Sequence, residues 1–485
     1  MRLIPSTLGP AIVMSVAAAL TGSIAPLAPV PAHRLSPAAE AVPAQDGDFA
    51  RGVLTRGLSN PFEILLAPDG AIWATERTGG QVTRIDPITG TKLTLLTVPG
   101  VVSTAGQDGL LGMVLVPGKG GRSDGSSVYL SYTYDGDPGA VLDRRQRIVR
   151  YTYDEGGQRL HRPQVLLEGL LASDDHNSGR LKLGPDGKLY YSIGDRGNNQ
   201  GHNACRAIEA QRLPTAAAVS SQDWSAYQGK TLRLNTNGSI PRDNPRLDGV
   251  RSHVWTFGHR NAQGLAFDPA GRLYAAEHGP KSDDELNVLR AGGNYGWPHM
   301  VGYRDDSAYV YGNWSARPGG CDPSTYNAYN IPADVPQWAE TASVFDDPRL
   351  VSPIRTFYTV GSDYNFRPAE SPCAASGTWY ICYPTVAPAS LQHYASSGIP
   401  GWAGSLLMPT MKLGTLFRMP VSNDTVLEPL KLFRSQNRYR DTAISADGRT
   451  IYVATDSSGL VQGLDGVPTN APTDPGAILT FTYPY

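Results

Sequence analysis

The sequence predicts an all-β protein of the β-propeller type from three observations: enough apolar chain for a large core, a surplus of turn residues, and one phrase that recurs five times. With 485 residues and 40% hydrophobic content, the chain can bury a sizeable core. Its 53 glycines and 39 prolines alternate with aromatic and β-branched runs, which favours many short strands over long helices. The phrase is a turn of the Pro-Asp-Gly kind followed by an alternating strand. It reads LAPDGAIWATE at 66–76, RSDGSSVYLSY at 122–132, LGPDGKLYYSIGD at 183–195, FDPAGRLYAAEHG at 267–279 and SADGRTIYVATD at 445–456.

An Asp-Gly pair supplies the positive φ of a tight turn, and the alternation after it fits a half-buried strand. A lone unit cannot cover both faces of its sheet, so neighbouring four-stranded blades around an axis must do so. The competing reading is an irregular β-sandwich with coincidental turns, and the shared flanking pattern argues against it. The widest gap, from about 281 to 400, is assigned to long loops and a degenerate blade. Such loops on a rigid scaffold build the functional face.

At the N-terminus, Arg2 precedes an apolar stretch from about Ile12 to Leu20 and a small, proline-rich run through Ala32. This is the layout of a secretory signal over 1–32, and the prolines weigh against a membrane anchor. Residues 33–50 read as a flexible leader and 51–485 as one propeller domain. The chain is therefore expected to be exported, periplasmic or secreted, with no stable membrane insertion. A net charge of -2 leaves no global basic field, which excludes non-specific nucleic-acid binding. Of the four cysteines, Cys373 and Cys382 can close a tight loop around Gly377. Cys205 and Cys321 remain, and the sequence leaves their pairing open.

Three polar groups carry chemistry. In 173–200, His176 precedes a strand that ends at Asp195; a carboxylate that fixes the imidazole tautomer makes a general base. Basic residues gather at Arg260 with Asn261 and Gln263, at Lys412, and at Arg438 and Arg440, where alternate residues of an extended segment face one way. They suit a small polyanion, since arginine matches carboxylates bidentately, and scattered salt bridges are the alternative. The acidic segments 277–287, 294–297 and 301–306 combine carboxylates with Gly and Pro carbonyls. Such oxygens suit calcium; a solvated acidic turn is the alternative.

HNSGRLKLGPDGKLYYSIGD, GHRNAQGLAF, GPKSDDELN, GGNYGWPHMVGYRDD, YICYPTVAP and NRYRD together resemble the soluble quinoprotein glucose dehydrogenases, from about residue 60 to the C-terminus. The resemblance implies a six-bladed β-propeller with long functional loops on one face, and pyrroloquinoline quinone as the anionic ligand. By the same resemblance Arg260, Asn261, Gln263, Thr385, Lys412, Arg438 and Arg440 fall at cofactor-contacting positions. It also implies about three calcium ions per chain. Carbonyls of Gly279 and Pro280 correspond to ligands of the ion bridging to the cofactor, and Asp284, Glu285, Tyr295, Val301, Tyr303, Asp305 and Glu340 match the surroundings of two others that support a homodimer.

The implied reaction is oxidation of D-glucose and other aldoses at the anomeric carbon to the lactone, by hydride transfer to the quinone, with electrons passed to an external acceptor. His176 would take the hydroxyl proton, Asp195 would orient it, and Arg260 would stabilise the oxyanion on the quinone. Gln107, Asp175, Gln200, Tyr380 and Tyr383 would surround the sugar. Tyr383 replaces a family tryptophan, and the segments 358–382 and 313–337 depart from the family pattern, touching the substrate pocket and the dimer contact. A broad-specificity aldose sugar dehydrogenase, or a non-redox calcium-stabilised propeller such as a lactonase or sugar-binding module, are the competing functions.

Overall fold

The computed structural model describes residues 43–484 apart from 138, 140, 308–309, 341–344 and 423. The expected signal segment and most of the leader lie outside the described residues. Residues 43–49, expected as the end of the flexible leader, are packed instead. Phe49 is buried with its ring 5.2 Å from Trp402 and 5.0 Å from Phe433, and Trp402 Nε1 donates to the Ala44 carbonyl at 3.0 Å.

The chain forms six antiparallel sheets, five of four strands and one of five, the six blades of a propeller. Their innermost strands are Pro61–Leu66, Leu110–Val116, Ser178–Leu183, Ala262–Phe267, Gln392–Tyr394 and Tyr439–Ile444. The sixth blade takes its outermost strand from the other end of the chain, where Ala50–Thr55 pairs with Ile478–Thr482. Six apolar clusters each lie between two adjacent blades. In one of them Trp73 and Val82 of the first blade meet Met113 and Leu130 of the second. In another Ile64 and Ala74 of the first meet Ala443 and Ala454 of the sixth. Burial of both faces by neighbours is what the repeated phrase requires.

All five repeated turns join an innermost strand to the second strand of its blade. Their glycines, Gly70, Gly125, Gly187, Gly271 and Gly448, all have φ between 69° and 83°. The fifth blade lacks the phrase; residues 395–404 make its turn with Gly401 and Gly404 at φ 70° and 75°. The degenerate blade thus begins near the end of the gap anticipated for it, with the long loops 290–354 and 358–391 before it.

The register fixes which end carries function. Pro61 pairs with Glu76, Ser178 with Ile193, Ala262 with Glu277 and Tyr439 with Thr455. Starts of innermost strands therefore lie beside ends of second strands, opposite the Asp-Gly turns. Between the two ends, the wholly buried Arg180 spans the ring. Its guanidinium donates to the carbonyls of Phe62 at 3.2 Å, Gln263 at 2.9 Å and Ala389 at 3.0 Å, and meets Glu63 at 2.7 Å and Asp441 at 3.3 Å. Removing one partner of such a buried network strands the rest without compensation. Arg180→Leu is expected to lower the unfolding free energy by about 3–5 kcal/mol; a loss below about 1 kcal/mol in urea titration would show the network is not a strut.

Candidate active site

Asp195 follows the end of the second strand of the third blade, and His176 stands two residues before that blade's innermost strand. Their approach is thus set by strand pairing. His176 Nδ1 and Asp195 Oδ1 are 2.7 Å apart, with both residues buried. A carboxylate only accepts, so the proton sits on Nδ1 and leaves the Nε2 lone pair free. Asp195 is itself held by the indole N–H of Trp297 at 2.8 Å and the backbone N–H of Gly197 at 2.9 Å.

Gln200 reads out this arrangement. Arg260 Nη2 donates to its Oε1 at 3.1 Å, and its amide nitrogen donates to Asp175 Oδ2 at 3.0 Å. These two bonds fix the amide with its nitrogen toward His176, 3.3 Å from Nε2. With Nδ1 turned to Asp195, the ring presents Nε2 to the Gln200 amide and the site. Asp175 also accepts from Gln107 Nε2 at 2.6 Å and from the backbone of His176 at 3.0 Å. Burial would raise its carboxyl, but His176 and Arg260 outweigh that and hold it below the usual range.

Arg260, Asn261 and Gln263 enter from the fourth blade. Arg260 donates to the Gly279 carbonyl at 3.1 Å and lies 5.5 Å from the Trp297 ring, while its buried Nε has no hydrogen-bond partner among the described residues. Asn261 and Gln263 bond one another at 2.9 Å, and Asn261 Nδ2 reaches Gln107 Oε1 at 3.2 Å. The Glu277 carboxylate accepts the backbone N–H groups of Arg260 and Asn261 and the ring of His259, so one side chain fixes this turn.

Lys412, from the fifth blade, donates to the Tyr383 carbonyl at 2.7 Å and to the Thr385 hydroxyl. Burial pulls its ammonium down to about 7, opposed by Asp284. Arg438 and Arg440 converge on Asp456, Nε to carboxylate at 3.0 and 2.8 Å. Burial would raise Asp456, but the two guanidinium groups hold it at about 2. A third guanidinium, Arg77, stands close enough that burial and Arg440 lower it to about 10.

Two cavities of about 250 Å³ each flank the Gln107–Asp175 bond. One is lined by Gln107, Gln263, Arg77, Arg438, Arg440 and Phe62. The other is lined by Asp175, Gln200, Pro280, Trp314, Tyr326 and Tyr383. Tyr383 bonds through its hydroxyl to that of Tyr329, whereas Tyr380 is 55% exposed and lines neither cavity.

The positions expected to surround calcium are less uniform. The Asp284 carboxylate accepts three backbone N–H groups, from Gly279, Val386 and Ala387, at 2.6–2.9 Å, and burial lifts it to about 6. The Tyr295 hydroxyl donates to the Val288 carbonyl at 2.6 Å. Val301 is buried, and Tyr303 is partly exposed. Glu285 is held by Asn287 and the backbone of Gly302, each at 2.8 Å, and burial followed by Glu277 raises it well above the usual range. Glu340 is buried with both carboxylate oxygens unpartnered among the described residues; burial, then Asp305, lifts it to about 8. No cluster of three or more His, Cys, Asp or Glu side chains poised for a metal occurs among the described residues. Pro280 lines the second cavity, the one that holds Tyr383.

Trp297, Glu277, Arg77 and Asp456 were not anticipated. Three of them carry a signal in the repeat itself: Arg77, Glu277 and Asp456 lie six to eight residues after the turn glycine of their phrase, as Asp195 does. Both disulfides form, Cys373–Cys382 and Cys205–Cys321.

A six-bladed ring presenting a buried histidine–carboxylate pair between a cationic cavity and an aromatic, polar one defines the class of propeller enzymes. The glucose/sorbosone dehydrogenase profile matches residues 58–334 and 358–462. Quinoprotein glucose dehydrogenase B of Acinetobacter calcoaceticus is 42% identical over 449 residues, spanning 91% of this chain and 92% of that one. Aldose sugar dehydrogenase YliI of Escherichia coli K12 is 28% identical over 410 residues, 84% and 90% of the two chains. The PQQ-bound aldose sugar dehydrogenase of Streptomyces coelicolor has a TM-score of 0.58 at 26% identity, covering 91% of this chain and 99% of that one. The chain belongs to the glucose/sorbosone dehydrogenase family and is an oxidoreductase. Family membership sets aside the non-redox propeller.

Proposed function

We propose that the protein oxidises D-glucose and related aldoses at the anomeric carbon to the lactone, with pyrroloquinoline quinone as its resident oxidant and an external acceptor for the electrons. The observation that carries this reading is the His176–Asp195 pair, with Nε2 turned toward Gln200, which lines the second cavity. The residues fit the cofactor: Arg77, Arg438 and Arg440 line one cavity with cations for a tricarboxylate, Lys412 follows its lining residue Met411, and Arg260 Nε is a buried donor without a partner among the described residues. When bound, the ortho-quinone supplies the two-electron acceptor for the hydride that leaves the anomeric carbon.

The chain does the rest. His176 Nε2 takes the anomeric hydroxyl proton, and Asp195 stabilises the imidazolium. Asp175, Gln200 and Gln107 position the sugar hydroxyls. Arg260 offers a preorganised charge where negative charge develops, an arrangement whose donors are each worth about 3–4 kcal/mol. Calcium would suit the Gly279 and Pro280 carbonyls as a Lewis acid, and would relieve the uncompensated carboxylates around Glu340. We also propose an exported homodimer; the leader composition supports export, and the resemblance supports the dimer.

Reconstitution with quinone and calcium, followed by dye reduction with glucose and an aldose panel, tests the reading. Saturable activity near one quinone per chain is the expected result, and absence of quinone binding would overturn it. The Tyr383 phenol lining the sugar-side cavity favours a broader aldose range as the second reading, which the same panel ranks. Chelation is expected to release quinone and lower Tm together, because a ligand bound only by the folded state stabilises it. Unchanged Tm and unchanged quinone content after chelation would remove calcium from the assignment.

A further inference from the structure

The sugar-side cavity has one wall that the propeller does not provide. Trp314, Tyr326, Asn327, Ala328 and Ile331 all line it, and all come from the excursion at 313–337. Gly201 and His202 of the excursion at 198–206 lie beside them. These two excursions share a small apolar cluster of their own: Ala204, Trp314 and Val335 are buried together, with Cys321, Tyr326 and Ile331 packed against them. It is a satellite core, separate from the six seams between blades.

Two ties join the excursions. Cys205–Cys321 bonds them covalently across 116 residues. Asn199 bonds them twice more, donating to the Gly312 carbonyl at 2.8 Å and accepting from the Ser315 backbone at 3.1 Å. Side-chain bonds from the excursions to other residues lining the cavity include Lys281 to the Ala328 carbonyl, Tyr329 to the Tyr383 hydroxyl, Gln200 to Asp175 and Tyr311 to the Asn199 carbonyl. Gln200, whose amide orients on His176 and Asp175, immediately precedes the first excursion's short 3-10 turn, Gly201–Asn203. The ties, together with the pairing of Val310–Gly312 with Gln337–Ala339 at the base of the second excursion, set the position of the wall.

We infer that the 313–337 excursion is a sugar-selecting wall, and that Cys205–Cys321 together with Asn199 are positioning residues that hold it against the carbons of the aldose remote from the anomeric centre. The inference rests on the proposed aldose oxidation. A wall on rigid ties presents its aromatic faces and backbone groups at fixed distance, which is what discrimination between sugars of one chemistry requires. Loosening it leaves the reacting end and the quinone seat in place, because His176, Asp195 and the cations stand on strand ends.

The test uses the full chain reconstituted with quinone and calcium. Cys205→Ser/Cys321→Ser and, separately, Asn199→Ala are expected to raise KM for the preferred aldose by about tenfold and to narrow the spread of kcat/KM across an aldose panel, with quinone Kd unchanged and kcat within about threefold. A general structural role would instead lower quinone affinity and kcat together. Should the double serine variant fail to fold, Asn199→Ala decides alone. If wild type binds quinone and oxidises aldoses but neither variant alters KM or the spread, the inference is wrong and the function stands. If wild type binds no quinone, the function itself fails.

Discussion

His176→Gln is expected to lower turnover by roughly 10²–10⁴-fold while quinone still binds. Glutamine keeps approximate size and can still bond Asp195, but it offers no nitrogen that can take a proton at neutral pH. The loss should lie in kcat and kcat/KM together, since the proton transfer exists only on the way to the transition state. Quinone uptake, followed by its absorbance in titration, should be unaffected because His176 is not among the residues lining the cationic cavity. Turnover within tenfold of wild type would remove His176 as the base.

Lys412→Ala is expected to weaken quinone binding by about 10–100-fold, the range for losing a hydrogen bond to a charged group. The pH dependence gives a second signature. Before quinone binds, burial outweighs the nearby Asp284 and holds the Lys412 ammonium near 7, well below an ordinary lysine. A bound carboxylate favours the charged form, so binding raises that pKa and takes up a proton. Quinone affinity should therefore be greatest below about pH 7 and fall as pH rises above it, until the pKa of the complex is passed. The alanine variant should lack this slope. Wild-type affinity that is flat between pH 6.5 and 8.5 would contradict the carboxylate contact.

Much of this was visible in the sequence for a physical reason: a tight turn leaves a residue signature, and the repeated phrase, with Asp-Gly in four copies and Ala-Gly in the fourth blade's, marked five blades. The fifth blade hid because its turn runs to ten residues and puts its positive-φ glycines, Gly401 and Gly404, outside the short turn that the phrase marks. At the site, His176 and Asp195 were found because they share a blade and a short segment. Trp297, which completes the Asp195 shell, comes from a loop a hundred residues on, and no local pattern links it to the pair. Arg180 was passed over because it sits in an apolar strand, where spacing cannot tell a strut from an exposed cation. The leader ended earlier than composition suggested, since Phe49 finds an aromatic pocket that only the folded sixth blade provides.

The pairing of Ala50–Thr55 with Ile478–Thr482 has a kinetic consequence. The ring cannot close until both ends of the domain exist, so its last contacts have the greatest sequence separation in the fold and the largest loop-closure cost. Before that moment the sixth blade exposes an unpaired edge, a template for mispairing with another chain. Folding yield should thus be more sensitive to changes at this seam than equilibrium stability is, and a nascent chain lacking its final strand is a species that has to be kept from aggregating.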